Sequence, residues 1–328
     1  MSTLTQPRPS LRGPARVVLR QHRWTLWIAG GLALVALLGL IALALRSSHV
    51  AEVFAASDCP VDGGAGRRCD QTARNYLDSM FTYRRVLDGF ALALMALPAL
   101  LSGFVAGPMI ARELETGTFR LSWTQSVSPA RWLAAKLAVP AALILAGTVA
   151  LSAGLHWARS GPAVPYPVEW YSMPVFTTTG TVLAGHIMFG LCVGALIGIL
   201  VRRTLLALAL TVFVTGVVGV SFAGLRARLW PPSTVTGANL DVRENIWWVE
   251  TGHLTGNGER VSQGPCDQAM SEGDRARCFA EHDITGHYLD YHPASHFWPL
   301  QLVETGILLA LATLALALAF RVLRRRTG

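Results

Sequence analysis

The chain contains six runs of about 20 residues that are almost free of charged side chains. An α-helix rises about 1.5 Å per residue, so each run is long enough to cross a hydrocarbon core of roughly 30 Å. Lipid offers the backbone no hydrogen-bond partners, and this favours helices. With 52% hydrophobic and 15% charged residues, the chain is too apolar for a water-soluble domain of this size. We place the predicted spans at residues 24–45, 89–111, 137–157, 175–201, 204–225 and 300–320.

The predicted fold class is all-α, a polytopic membrane protein with six transmembrane helices. Residues 1–23 form a cytoplasmic tail whose arginines recur at helical spacing, and this predicts an amphipathic interfacial helix, although a plain basic flank is the alternative. The rest divides into spans one to five (24–225, with a connecting loop at 112–136), a long extracytoplasmic loop (226–299), the last span (300–320) and a basic tail (321–328). The first apolar run exceeds the roughly 7 to 15 residues of a cleavable signal sequence, so we interpret it as a retained anchor.

The charge distribution predicts the orientation of these spans. One side of the membrane receives 15 of the 28 basic residues and only two of the 20 acidic ones. The positive-inside rule then places both termini in the cytoplasm of a bacterial plasma (inner) membrane. Arg84 and Arg85, at the outer end of the second span, run against this rule. The basic residues flank membrane spans and form no binding groove, so we expect lipid and not nucleic acid as a partner.

Four of the five cysteines lie in loops on the predicted outer side. Cys59 and Cys69 share the first outer loop, and Cys266 and Cys278 share the last. Close pairs on an oxidising side are typical of local disulfides. Free thiols are the alternative, while two distant loops have no spacing of a zinc site.

The segment between the second and third spans carries a distinctive charged motif. It reads ARELETGTFRLSWTQSVSPARWLAAK at residues 111–136. Gly117 is expected to end one helix, and Ser128 followed by Pro129 is expected to begin the next. Residues 118–127 would then form a compact element at the membrane surface, with an ordinary re-entry turn as the simpler alternative.

This arrangement resembles the membrane subunits of type 2 ABC exporters, a family that includes drug, antibiotic and polysaccharide export permeases. In that family the loop bears a Glu-x-x-x-Gly-Thr motif and a basic, aromatic stretch, which form a coupling helix that seats in a groove of the ATPase. The matching residues, to which the resemblance gives an ATPase-coupling role, are Glu113, Gly117, Thr118, Arg120, Gln125 and Arg131, with Trp132 and Lys136 in the following pattern. The resemblance implies two copies of a cytoplasmic ABC ATPase, and a homodimer or a pair with a related permease.

The lysine content indicates that any ATPase is a separate polypeptide. A Walker A loop needs Gly-x-x-x-x-Gly-Lys followed by Ser or Thr. The chain has one lysine, Lys136, between Ala135 and Leu137. We therefore expect no enzymatic activity and no cofactor in this chain, with ATP and Mg²⁺ bound by the partner. The apolar lining of the spans favours export of a lipophilic or amphiphilic substrate.

The fourth span carries two features of interest. His186 is an ionisable residue inside a predicted span, and such residues often mark a substrate path. A hydrogen bond to a neighbouring helix is the alternative. Gly190, Gly194 and Gly198 recur at four-residue spacing and allow another helix to approach closely, either within the subunit or across a dimer seam.

Two other functions stay open at this point. Ser221 could pair with His186 in an intramembrane hydrolase, but the residues around it lack the Gly-x-Ser-x-Gly elbow. A transport-inactive sensor or scaffold would show the same spans. Histidines crowd the last outer loop at 282, 287, 292 and 296, but their spacing matches no known closed zinc site, and no metal site is predicted.

Overall fold

The computed structural model describes residues 20, 23–62, 66–117, 128–161, 169–238, 245–262, 266 and 271–327. Most of residues 1–23, which carry the predicted amphipathic helix, and residues 162–168, between the third and fourth predicted spans, lie outside these ranges. Within them, six helices are long and apolar enough to cross a membrane, as predicted. The helices are α1 (Arg23–Ala55), α2 (Arg67–Leu101), α3 (Gly107–Thr116), α4 (Pro129–Arg159), α5 (Met173–Thr179), α6 (Val182–Val201), α7 (Thr204–Leu225), α8 (Glu272–Glu281) and α9 (Phe297–Thr327).

The loop between α7 and α9 contains a small β-sheet that the sequence analysis did not predict. Its strands are β1 (Ser233–Gly237), β2 (Trp247–Thr255), β3 (Arg260–Ser262) and β4 (Ile284–His292). They pair antiparallel in the order β1-β4-β2-β3. A disulfide between Cys266 and Cys278 ties the chain after β3 to α8. We call β1–β4 and α8 the cap, the membrane face that bears them the cap side, and the opposite face the basic side.

The second span is one continuous rod made of α2, a π-helical turn at Ser102–Ala106, and α3. Pro98 lies in the last turn of α2 and has no amide hydrogen to donate. The Ser102 hydroxyl donates to the Pro98 carbonyl at 2.5 Å. A π turn bends and widens a helix locally, and it presents small side chains here to the neighbouring helices.

The glycines of α6 pack against this π turn within the same subunit. A Cβ added to Gly190 would lie 2.7 Å from the Ser102 side chain, and one on Gly198 would lie 2.7 Å from the Gly107 carbonyl oxygen. Gly194 meets Ala106 at 3.0 Å in the same way. Of the two interpretations of this glycine pattern, the structure therefore shows packing inside the subunit. Because of this contact α6 is the central helix of the bundle, and most of its apolar residues are buried.

The helices α1 and α2 extend past their predicted spans on the cap side. Residues 46–55 and 67–88, which lie outside the predicted spans, are helical. A disulfide between Cys59 and Cys69 closes the turn, and the rings of Phe54 and Tyr76 stack at 4.1 Å. The connection between the first two spans is therefore a helical hairpin.

The fourth span differs from the predicted range of 175–201 because its helix is interrupted. The short helix α5 ends at Thr179, and α6 begins only at Val182. Gln301 of α9 fills the interruption, because its Oε1 accepts from the Val182 amide at 3.0 Å and its Nε2 donates to the Phe176 carbonyl at 2.6 Å. This side chain replaces the backbone hydrogen bonds that a continuous helix would have made.

Candidate coupling site and buried ionic cluster

The basic side brings together both ends of the predicted coupling segment. Gly117 ends α3 in the left-handed conformation, with a φ of 70°, as its place after the charged turn predicts. Ser128 begins α4 as its N-cap and accepts from the Arg131 amide, and Pro129 occupies the first helical turn, also as predicted. Residues 118–127, which include the predicted coupling residues Thr118, Arg120 and Gln125, lie outside the described residues.

Glu113 binds the first turns of α4. Its carboxylate accepts from the Nζ of Lys136 and, at 3.1 Å, from the indole Nε1 of Trp132. The Lys136 and Glu113 side chains are only 11% and 21% exposed, so the charges sit in a partly dry environment where the pair is stronger than on an open surface. Glu113 therefore fastens α3 to α4 and directs its charge away from solvent.

Glu115 makes a second connection from the same helix end. Its Oε2 accepts from the Thr204 amide at 3.0 Å and from the Thr204 hydroxyl at 2.7 Å. The first amides of a helix have no partner within it, so this carboxylate caps α7 from a distant part of the chain. The end of α3 is thus fixed to both α4 and α7, immediately before the segment that the resemblance assigns to ATPase contact.

The remaining described coupling residue behaves differently. Arg131 lies on the first turn of α4 with its side chain exposed, so it can face a partner protein. Sequence reasoning did not identify Glu115 or Lys136 as connecting residues. The chain's lone lysine directly precedes the predicted third span, and this position was a signal that could have indicated an internal partner.

A buried ionic cluster lies toward the opposite end of the spans. His186 is not isolated, because its Nε2 lies 3.4 Å from Oε1 of Glu304 on α9. Arg226, just past α7, binds both oxygens of Glu304, with Nε to Oε2 at 2.8 Å and Nη2 to Oε1 at 3.1 Å. Arg226 Nη2 also donates to the Thr177 hydroxyl at 3.3 Å. Glu304 is fully buried and Arg226 is 3% exposed.

The contacts of Ser221 and His186 do not support the intramembrane hydrolase that was left open above. The Ser221 hydroxyl donates to the Val217 carbonyl on an exposed face of α7, while His186 contacts Glu304, so a serine–histidine pair is not formed. Among the described residues, the group whose ligand atoms cluster within 4.8 Å is Cys266, Cys278 and His282, and its two sulfurs are already joined to each other.

Comparison with known families agrees with this architecture. The sequence model described as ABC-2 membrane transporter related matches residues 28–226, which is more than half of the chain. No curated protein and no solved structure matches the chain significantly. The matched region runs from α1 to the end of α7 and includes the helix ends that flank the coupling segment. The chain therefore belongs to the ABC-2 membrane transporter related family, as a multi-pass membrane permease subunit of an ABC transporter.

Proposed function

We propose that this chain is the membrane-spanning subunit of an ATP-driven exporter and that it receives movement from a cytoplasmic ABC ATPase through residues 118–127. The observation that carries the proposal is that Glu113 binds α3 to α4 and Glu115 binds α3 to α7. A segment that must transmit force needs rigid supports, and these contacts bind α3, which leads into the segment, to α4 and α7. In this proposal the basic side faces the cytoplasm and the cap faces outward.

The proposed working unit contains two permease chains and two ATPase chains. Closure of the two ATPase subunits on ATP would push on residues 118–127, and the bound ends of α3, α4 and α7 would move together as one body. The apolar character of the spans supports a lipophilic or amphiphilic cargo. ATP and Mg²⁺ belong to the partner in this arrangement, because Lys136 is occupied by Glu113 and lies outside any phosphate-binding loop.

The test is capture of the tagged chain from solubilised membranes of its own host, with mass spectrometry of the copurifying proteins. We expect an ABC ATPase at a ratio near one per permease chain and ATP turnover in the purified complex. Arg120→Glu and Gln125→Ala are expected to weaken the association by about tenfold or more, because interface centres carry most of the binding energy.

The matched control is Arg277→Gln, which removes an exposed arginine of the cap and should leave the association unchanged. Capture without any ABC ATPase, or equal capture by the coupling variants and the control, would overturn the proposal.

A further inference from the structure

We propose that the buried ionic cluster is the outer gate of the transport path, with Arg226 and Glu304 as the pair that closes it. This assignment rests on the proposed function for which end of the bundle faces outward, whereas the contacts that define the cluster do not depend on it. The cluster consists of Glu304, Arg226, His186 and Thr177, and it joins α5, α6, α9 and the end of α7 at a single point.

The cluster lies close to the outer membrane surface. From Arg202 at the basic end of α6 to His186 is about 24 Å along the helix axis, and from Arg321 to Glu304 on α9 is about 26 Å. A hydrocarbon core is roughly 30 Å thick, so both side chains lie a few ångströms below the outer boundary. Water reaches this depth as soon as the helix ends separate.

The chemistry of the pair suits a contact that breaks and re-forms. A buried ion pair is often no more stabilising than apolar side chains of the same volume, because both charges lose their hydration. When the helix ends part, the two charges regain water, and this offsets the lost attraction. Apolar side chains exposed to water in the same way would gain no favourable hydration. A charged closure is therefore easier to open than an apolar one of equal closed stability.

The contact surface between α6 and α9, which we call the seam, is polar near the cluster and apolar deeper in the membrane, as a gate that opens from outside requires. Its outer part is polar, with the Thr181 and Thr305 hydroxyls 2.8 Å apart and Gln301 bound to the start of α6. Its deeper part is apolar, where Cys192 and Phe189 of α6 pack against Leu308. Water can replace the outer contacts but not the inner ones, so opening would begin at the cluster.

The cap is attached directly to the gate. The Arg226 guanidinium carbon lies 4.2 Å from the centroid of the Phe176 ring, whose edge-to-face neighbour is Phe297 at 5.6 Å between ring centroids. The Ala227 carbonyl, next to Arg226 in sequence, accepts from the His292 Nε2 at 2.9 Å. Separation of the helix ends must therefore move the cap as well.

The experiment uses Cys192 as a natural reporter, since it is the free cysteine of the chain and lies buried behind the gate. A small cationic methanethiosulfonate is added to the chain in lipid nanodiscs, and modification of Cys192 is followed by mass spectrometry. Glu304→Gln weakens the closing pair, and we expect it to raise the labelling rate about tenfold or more without any ATPase present. The control Arg277→Gln breaks an exposed ion pair of the cap and should label like the wild type.

Two further variants separate a gate from a static contact. Arg226→Met combined with Glu304→Met fills the site with apolar side chains, so we expect a stable protein whose Cys192 stays unlabelled. In the complex with its ATPase, ATP and Mg²⁺ should accelerate wild-type labelling. Oxidation of Thr181→Cys/Thr305→Cys to a disulfide across the seam should abolish this acceleration, because it holds α6 to α9.

The outcomes distinguish failure of the gate from failure of the proposed function. Equal labelling of Glu304→Gln, the double methionine variant and the wild type would overturn the gate. If ATP and Mg²⁺ still accelerate labelling of Cys192 after the disulfide across the seam has formed, the gate is also overturned. If no ABC ATPase associates with the chain but Glu304→Gln still exposes Cys192, the gate stands and the proposed drive by ATP fails.

Discussion

At the scale of single residues, the most consequential contact is the one between Lys136 and Glu113 on the basic side. Removing one partner of a partly buried ion pair leaves the other charge without compensation. We expect Lys136→Met to lower the free energy of unfolding by about 1–3 kcal/mol and to reduce ATP turnover of the complex. Combining Lys136→Met with Glu113→Gln should cost less than the sum of the single changes, since the neutral amide can still accept from Trp132.

The measurement is thermal or denaturant unfolding of the four proteins of this double-mutant cycle. Arg131→Gln is the control, because it removes an exposed basic side chain from the same helix, α4, and it should change stability by less than about 0.5 kcal/mol. Strict additivity of the two changes would show that the pair contributes nothing as a pair.

The same residues show what local sequence can and cannot predict. Gly117 and Ser128 were predictable as helix ends because their signals lie within a few positions of the backbone groups they serve. The bond from Lys136 to Glu113 spans 23 positions and requires α3 and α4 to lie side by side, so no local pattern contains it. A hydrogen bond from His186 to a neighbouring helix was one of the two sequence interpretations, but its partner, Glu304, lies 118 positions away and could not be identified for the same reason.

At the scale of elements, the packing of α6 on the π turn of the second span sets the position of the central helix. A valine at Gly198 would bring its Cβ to 2.7 Å from the Gly107 carbonyl, and neither backbone can move away easily. We expect Gly198→Val to destabilise the protein by about 1–3 kcal/mol through overpacking. Gly216→Val on α7 is the matched control, because a Cβ there meets nothing within 4 Å.

Thermal unfolding in detergent tests this pair of substitutions. Both place the same residue in a transmembrane helix, so their intrinsic helix propensity costs are equal and the difference reports packing alone. Equal melting temperatures for the two variants would contradict the close contact. The sequence could predict the smooth face of α6 but not its partner, since the dimer seam and the π turn both suit a row of glycines.

The helical hairpin of α1 and α2 is the second element whose stability can be tested. The Cys59–Cys69 disulfide closes a short loop, and removing it should destabilise the hairpin by about 2–3 kcal/mol. Cys59→Ser/Cys69→Ser is therefore expected to speed amide hydrogen exchange in residues 46–88. Cys266→Ser/Cys278→Ser removes the other bond and should leave exchange in these residues unchanged. Slow exchange in the first variant would show that helix packing alone holds the hairpin.

At the scale of the whole molecule, the membrane part was predictable and the cap was not. Six spans follow from composition and length, because lipid imposes the same requirement on each of them. The cap depends on pairing between distant strands, such as Ser233 of β1 with Tyr291 of β4. The local sequence of a strand does not name its distant partner, so it cannot determine such a register by itself. The sequence therefore predicted the length of the outer loop but not its fold.

Acid conditions should loosen the cap where it meets the membrane helices. His292 donates its Nε2 hydrogen to the Ala227 carbonyl at 2.9 Å, and its Nδ1 lies 3.0 Å from Nδ1 of His296. Burial lowers the pKa of His292 below its ordinary value of 6.5, the bond to Ala227 acts in the opposite direction, and His296 lowers the pKa further. A histidine of lowered pKa stays neutral in the folded cap while the unfolded chain takes up the proton, so stability falls as pH drops below about 6.5.

Amide hydrogen exchange in β4, the strand that ends at His292, makes this loss measurable as the temperature is raised. We expect the melting temperature of the cap to be lower at pH 5 than at pH 8, and His292→Gln to reduce that difference. His282→Gln is the control, because it removes an exposed histidine between α8 and β4 in place of the buried one. Equal melting temperatures at the two pH values would mean that His292 accepts a proton in the folded cap as readily as in the unfolded chain.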